Sequence, residues 1–179
     1  KTKHGVALTW TTASETNNAG FEVQRKRAST SGEASWTKIG FVDGTGTTTE
    51  ARTYEFTDAD LPYAADVLSY RLRQVDVDGT GHVSDPIRIE RTVEELELLG
   101  TYPNPARNRA TVRFAVPKQQ NVTVRLYDMM GRRVRTVANG PHEGRTELSI
   151  GLSDLSSGIY FLQLAAEGNT RTRKLTVVR

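Results

Sequence analysis

The chain has 179 residues, a formal net charge of +3 and no cysteine. That length suits one large domain or two small ones, and the missing cysteine excludes a disulfide framework and a thiolate zinc site. No apolar run approaches the ~20 residues that span a bilayer, and the opening "KTKHGVALTW" has neither the apolar stretch of a signal peptide nor an initiating Met. The chain therefore reads as a piece of a longer protein.

The charge is unevenly placed. Residues 1–99 carry 11 Lys+Arg against 16 Asp+Glu, whereas residues 100–179 carry 13 against 5, and 11 of those 13 are Arg. Such a split points to two units with different surroundings. The basic half would attract phosphate or carboxylate polymers, which the planar fork of Arg suits, or would simply present a solvated face.

Alternation with period two runs through the first half. "VALTW" sets Val6, Leu8 and Trp10 on one face, and "GFEVQRK" does the same for Phe21, Val23 and Arg25. "KIGFV" offers Ile39 and Phe41, "RTYEFTD" offers Tyr54 and Phe56, "LSYRLRQVD" offers Tyr70 and Leu72, and "PIRIER" offers Ile87 and Ile89. Short alternating runs separated by Gly, Asn, Asp and Thr turns are the signature of a β-sandwich. Asn17-Asn18 and Asp78-Gly79 are turn pairs that tolerate positive φ.

The one helix candidate is "TVEELELLG", residues 92–100, and its "LELL" reads equally well as a first strand of a second unit. A boundary is expected between Ile89 and Leu96, with a linker over 92–99. "GTYPNPARNRATVRFAV" follows. Proline lacks a donor and pushes the residue before it into extended geometry. Tyr102 and Asn104 both hold that position, so "YPNP" is expected to be a stiff, extended, unpaired elbow, with Tyr102 packing over the end of a sandwich. Beyond it, "ATVRFAV", "NVTVRLYD", "RRVRTVA", "TELSIGL", "GIYFLQLAAEG" and "TRKLTVVR" read as strands. Gly158 is expected to allow a bend into a central strand, on which Tyr160 packs. The fold class is all-β, two tandem antiparallel sandwiches.

From Gly100 onward the residues resemble the type A C-terminal sorting domain of the bacterial type IX secretion system. The matching pieces are "YPNP", the "TVRFAVP" strand, "VRLYDMMGRRV", "LSSGIYFLQL" and the terminal "RKLTVVR", in order and at the very end of the chain. The family often has Phe after "YPNP", where Ala106 stands here. Carried over onto this sequence, the sorting motif comprises Tyr102, Pro103, Asn104, Pro105, Asp128, Gly131, Leu155, Gly158, Tyr160 and Lys174. Residues 1–91 are similar to the fibronectin-III-like module that often precedes this tail. The resemblance implies export through the periplasm and outer membrane to the cell surface or medium. It implies as partners the type IX translocon, a cell-surface sortase and an anionic lipopolysaccharide. The cargo's own activity would then lie upstream.

Catalytic signals do not assemble. His4, His82 and His142 are scattered, no G-x-S-x-G elbow occurs, and the two "DGTG" stretches lack the Gly-Lys-Ser/Thr of a phosphate loop. The chain is read as no enzyme, with no cofactor. "DVDGTG" makes Asp76 and Asp78 candidate calcium ligands, but an EF-hand would need Glu where Ile87 stands, and a hairpin turn is the competing reading. No nucleic-acid-binding motif interleaves aromatics with the Arg residues. Arg132, Arg133 and Arg135 read either as an anionic contact with the translocon or a glycan, or as a charged edge that resists strand addition. Two other functions stay open. One is a carbohydrate-binding adhesive module using Trp36, Tyr63 and Tyr102. The other is a homo-oligomeric filament or surface-layer subunit built by edge pairing.

Overall fold

The computed structural model describes residues 5–27 and 35–179, and the chain divides into two compact units, Lys1–Arg91 and Thr92–Arg179. Among the described residues every regular element is a β-strand, and the sheets are antiparallel. No helix among the described residues is long and apolar enough to cross a membrane.

The first unit contains β1 (Val6–Thr12), β2 (Glu15–Arg27), β3 (Thr37–Thr48), β4 (Arg52–Asp58), β5 (Val67–Asp76), β6 (Gly81–Val83) and β7 (Ile87–Glu90). β1 pairs with β4 in one sheet, and the other runs β3-β2-β5-β6. β7 lies on the same edge of β5 as β6, further along it. Pro86 stands in the break between them, where a strand could not keep its donor. Ser84 bridges that break: its N–H donates to the Leu72 carbonyl at 2.9 Å, and its Oγ accepts from the Leu72 N–H at 3.0 Å.

The expected inward faces close the core of this unit: Val6, Leu8, Val23, Leu68 and Tyr70 are buried, with Trp10, Ile39, Phe56 and Ile89 packed against them. Trp10, Phe21 and Tyr54 form a ring cluster with centroids 5.1–5.7 Å apart. Two expected inward residues do not turn in. Phe41 is 42% exposed and Ile87 is 54% exposed. In β3 the register with β2 shifts between Val23 and Gln24, and Val42 takes the core position next to Phe41.

Two buried carboxylates of this unit, Asp58 and Glu15, are paired. Asp58, buried, takes two hydrogen bonds from Arg25 at 2.7 and 2.9 Å and one from the Tyr70 hydroxyl at 2.8 Å. Burial, and then the carboxylate of Asp58, push the Tyr70 phenol well above its ordinary range. Glu15 is also buried. It accepts from Thr12, Asn18, the Thr45 N–H and the Tyr54 hydroxyl.

The second unit is built from β8 (Glu97–Tyr102), β9 (Arg109–Tyr127), β10 (Arg133–Gly151), β11 (Gly158–Ala166) and β12 (Asn169–Val177). The segment 92–100 is not helical. Strand β8 takes up the last three residues of the expected linker, because Leu96 and Leu98 are buried core residues and Leu98 pairs with Phe114. The strands expected at "ATVRFAV" and "NVTVRLYD" are one continuous strand, β9, hairpin-paired with β10 along its length. Val116 faces Gly144 and Gln120 faces His142, so extra residues, Pro117 among them, are accommodated mid-strand as a bulge. The half of β9 before this point pairs with β8, and the half after it pairs with β11. One long hairpin thus supplies strands on both sides of a single core. Phe114 and Val116 from its first half share that core with Val124 and Leu126 from its second, and Leu162, Leu164 and Leu175 complete it.

The Glu15 site makes acid sensitivity predictable. Burial alone would raise its pKa. The hydrogen bonds from Tyr54, the Thr45 backbone, Asn18 and Thr12 outweigh that and hold it at about 2, against an ordinary 4.5. A depressed folded-state pKa adds stability that is present above 4.5 and lost as pH falls toward 2. Urea unfolding of the first unit, followed by the fluorescence of the Trp10 cluster, should weaken between those pH values. In Glu15→Gln that dependence should flatten, with stability at neutral pH already reduced.

Candidate functional site

The residues of the sorting motif fall into three groups in the second unit. The first is the "YPNP" segment, which is not an unpaired elbow. Tyr102 ends β8 opposite Thr111, and the peptide bonds before Pro103 and Pro105 are both cis. Neither proline has an N–H, so the side chain of Asn104 does the pairing. Its Nδ2 donates to the Lys174 carbonyl, and its Oδ1 accepts from the Thr176 N–H, both at 2.9 Å. Ala106 extends the contact: its N–H donates to the Thr176 carbonyl and its carbonyl accepts from the Val178 N–H, both at 2.8 Å. The segment 104–106 therefore lies along the outer edge of β12, the last strand of the sheet. Ala106 is fully buried in the core, which accounts for a small apolar residue there. Tyr102 does not pack over the sandwich; it is 71% exposed. Lys174 is also exposed at its side chain and enters the clamp through its carbonyl.

The second group is the turn between β9 and β10. Asp128 Oδ1 accepts from the N–H groups of Met130 and Arg132 at 2.9 and 3.0 Å, and its Oδ2 accepts from Arg132 Nε at 2.7 Å. These contacts, led by the Arg132 side chain, hold the Asp128 carboxyl below its ordinary range. Gly131 has φ of +76°, the left-handed conformation that the turn needs and that glycine adopts without strain. Met129 and Met130 are left outside.

The third group precedes and enters β11. Leu155 is buried, and its N–H donates to the Leu152 carbonyl at 3.0 Å. Tyr160 is buried with its hydroxyl donating to the Ser156 carbonyl at 2.9 Å. Gly158 differs from the expectation. Its φ is not in the left-handed region, and a Cβ placed on it would meet only Tyr160 Cε2 at 3.9 Å and the Ser156 carbonyl at 4.0 Å. Neither conformation nor space demands glycine there.

The proposed anionic contact at Arg132, Arg133 and Arg135 is largely taken up within the unit. Arg132 pairs with Asp128. Arg135 pairs with Asp154 at 2.6 Å and also donates to the Gly151 carbonyl. Of the three, Arg133 alone has no such partner among the described residues. In the first unit Asp76 and Asp78 lie in a tight hairpin. The Asp76 N–H donates to the Thr80 carbonyl at 2.8 Å, and Asp78 Oδ1 accepts from the Thr80 N–H at 2.9 Å. Gln74 donates to Asp76 Oδ1 at 3.1 Å. Among the described residues no group of three or more His, Cys, Asp or Glu side chains gathers to hold a metal. Of the aromatic candidates, Trp36 has the Arg71 guanidinium 4.2 Å above its ring, so that face is already covered, and Tyr63 is half-buried.

Two substitutions separate these roles. Asn104→Ala removes both side-chain bonds to β12 and should lower the stability of the second unit by about 1–2 kcal/mol in denaturant unfolding. Gly158→Ala should leave it unchanged or raise it by up to about 1 kcal/mol. A loss of more than that in Gly158→Ala would show a steric demand absent from this geometry.

Residues 100–178 match the model of the secretion system C-terminal sorting domain. Among solved structures, the chain is similar to dimeric latent PorU from Porphyromonas gingivalis, at 21% identity and a TM-score of 0.41. That likeness covers 74% of this chain and 14% of PorU. No curated protein sequence matches. The second unit of this chain belongs, over residues 100–178, to the secretion system C-terminal sorting domain family.

Proposed function

We propose that the sorting domain acts as an address rather than a catalyst and marks its protein for export to the cell surface or the extracellular space through the type IX machinery. The chain is then the C-terminal region of a larger exported protein. In this reading the translocon recognises the folded second unit, a surface sortase then removes it, and the cargo passes to an anionic lipopolysaccharide. The first unit serves as a fibronectin-III-like spacer or binding module. Its two facing sheets, β1-β4 and β3-β2-β5 with β6 and β7, support that part of the reading.

One observation carries the proposal. Asn104 and Lys174, motif residues 70 positions apart, meet through a direct hydrogen bond, and Asn104 also accepts from the Thr176 N–H beside it. Asp128, Gly131, Leu155 and Tyr160 likewise hold turns and core in place. A motif made of fold-holding residues fits recognition of a folded shape better than reading of a linear tag.

The test fuses the whole 179-residue chain to the C-terminus of a periplasm-directed fluorescent protein. It is expressed in a bacterium with a type IX system and in a mutant without one. Fluorescence at the surface or in the medium is expected in the first strain only. Reporter trapped in the periplasm of both strains would remove the sorting reading.

A further inference from the structure

Strand alternation in the second unit sends Leu126, Leu164 and Leu175 into the core, so the residues between them face outward. The register then fixes which of these are neighbours. Phe161 stands opposite Tyr127 on one side and Lys174 on the other, and Tyr127 in turn stands opposite Arg133. A row runs Arg133, Tyr127, Phe161, Lys174: two aromatic rings flanked by two cations. Arg125 lies next along the same face, and Ile159 lies beyond Phe161. Phe161 is 40% exposed and Ile159 is 37% exposed.

This face has no carboxylate to answer its cations. The nearest ones along the chain sit in turns and are occupied, Asp128 with Arg132 and Glu167 with Lys118. Among the described residues Arg125, Arg133 and Lys174 make no ion pair, and Arg125 Nε is buried without a hydrogen-bond partner. The turn that follows Tyr127 adds Met129 and Met130, 71% and 78% exposed. A surface that is only solvated interleaves both signs of charge and keeps apolar groups scattered. Aromatic, Met and Arg side chains gathered where Asp and Glu are missing have instead the composition of a protein–protein contact.

We propose that this outer face of β9, β11 and β12 is the docking surface of the sorting unit, and that its partner is a protein presenting carboxylates around an apolar centre. The inference rests on the sorting reading and assigns it a site. Unpaired cations on one side call for acidic groups on the other, because like charges opposed across an interface repel and complementary ones set register and encounter rate. The exposed Met and Ile side chains offer a protein apolar area to bury, whereas a glycan would bring hydroxyls to that area. An anionic polysaccharide is therefore the competing occupant.

The experiment has two arms on the 179-residue chain. In the first, Phe161→Ser and the double variant Arg133→Glu/Lys174→Glu are compared for reporter export with Arg107→Glu/Arg109→Glu. That control makes the same charge change at exposed positions away from the face. Export of the face variants is expected to fall at least tenfold while the control stays within twofold of the parent, with folding checked by near-ultraviolet circular dichroism. Parent-level export by a folded face variant would overturn the proposal. If one face variant fails to fold, the other decides.

In the second arm the purified chain is titrated, by amide NMR, with a peptide alternating Glu and Leu and separately with a carboxylated polysaccharide. The peptide is expected to shift the amides of Tyr127, Phe161 and Lys174, and the shifts should weaken with added salt. No shift with the peptide, or shifts at these amides with the polysaccharide alone, would overturn the protein partner. Should the parent chain not be exported at all, the sorting reading fails by itself, and the titration still decides the face.

Discussion

The second unit depends on how its last strand is closed. β12 is an edge strand of its sheet, and an open edge invites pairing with other chains. Two prolines that cannot donate bring Asn104 alongside it, and the side-chain amide of Asn104, a donor and an acceptor in one plane, stands in for a missing peptide group. Ala106 then resumes true backbone pairing with Thr176 and Val178. The start and the end of the sorting segment are tied to each other before any partner is met.

That closure makes sense of the remaining motif residues. Asp128 and Gly131 shape the turn of the long hairpin, while Leu155 and Tyr160 seat the chain as it enters β11. The bulge in the long β9–β10 hairpin lets one ribbon serve both sides of the core. Such an architecture leaves few motif side chains free for recognition. Tyr102 and Lys174 are exposed, but the larger exposed apolar features, Met129, Met130 and Phe161, lie outside the motif positions. Fold-holding and partner-contacting residues are thus largely different sets. A motif read from sequence finds the first set more readily than the second.

The class of fold was legible because alternation with period two is a local signal, and Val6, Leu8, Val112, Phe114, Leu162 and Leu164 all turn inward as it requires. What failed to show were long-range effects. The two prolines gave "YPNP" its stiffness in the sequence, yet nothing local indicated that Asn104 would find an edge some 70 residues away. The short apolar run "LELL" fits a helix or a strand equally well, and only pairing with β9 decides it. Arg132 and Arg135 looked available until the fold brought Asp128 and Asp154 to them. The face carrying Phe161 was hidden for a related reason. "GIYFLQL" is apolar on both sides and reads as a central strand, which β11 is, between β9 and β12, but only one of its sides is buried within this unit.

Hydrogen exchange at the Thr176 amide, followed together with export, tests the central claim that the address is a folded unit closed by Asn104. In the parent chain this amide should be protected to nearly the same degree as the core amides of β11. In Asn104→Ala it should exchange much faster while the β11 amides stay protected, and export of the fused reporter should fall with it. A Thr176 amide that exchanges freely in the parent chain, or export that persists unchanged after its protection is lost, would contradict the account.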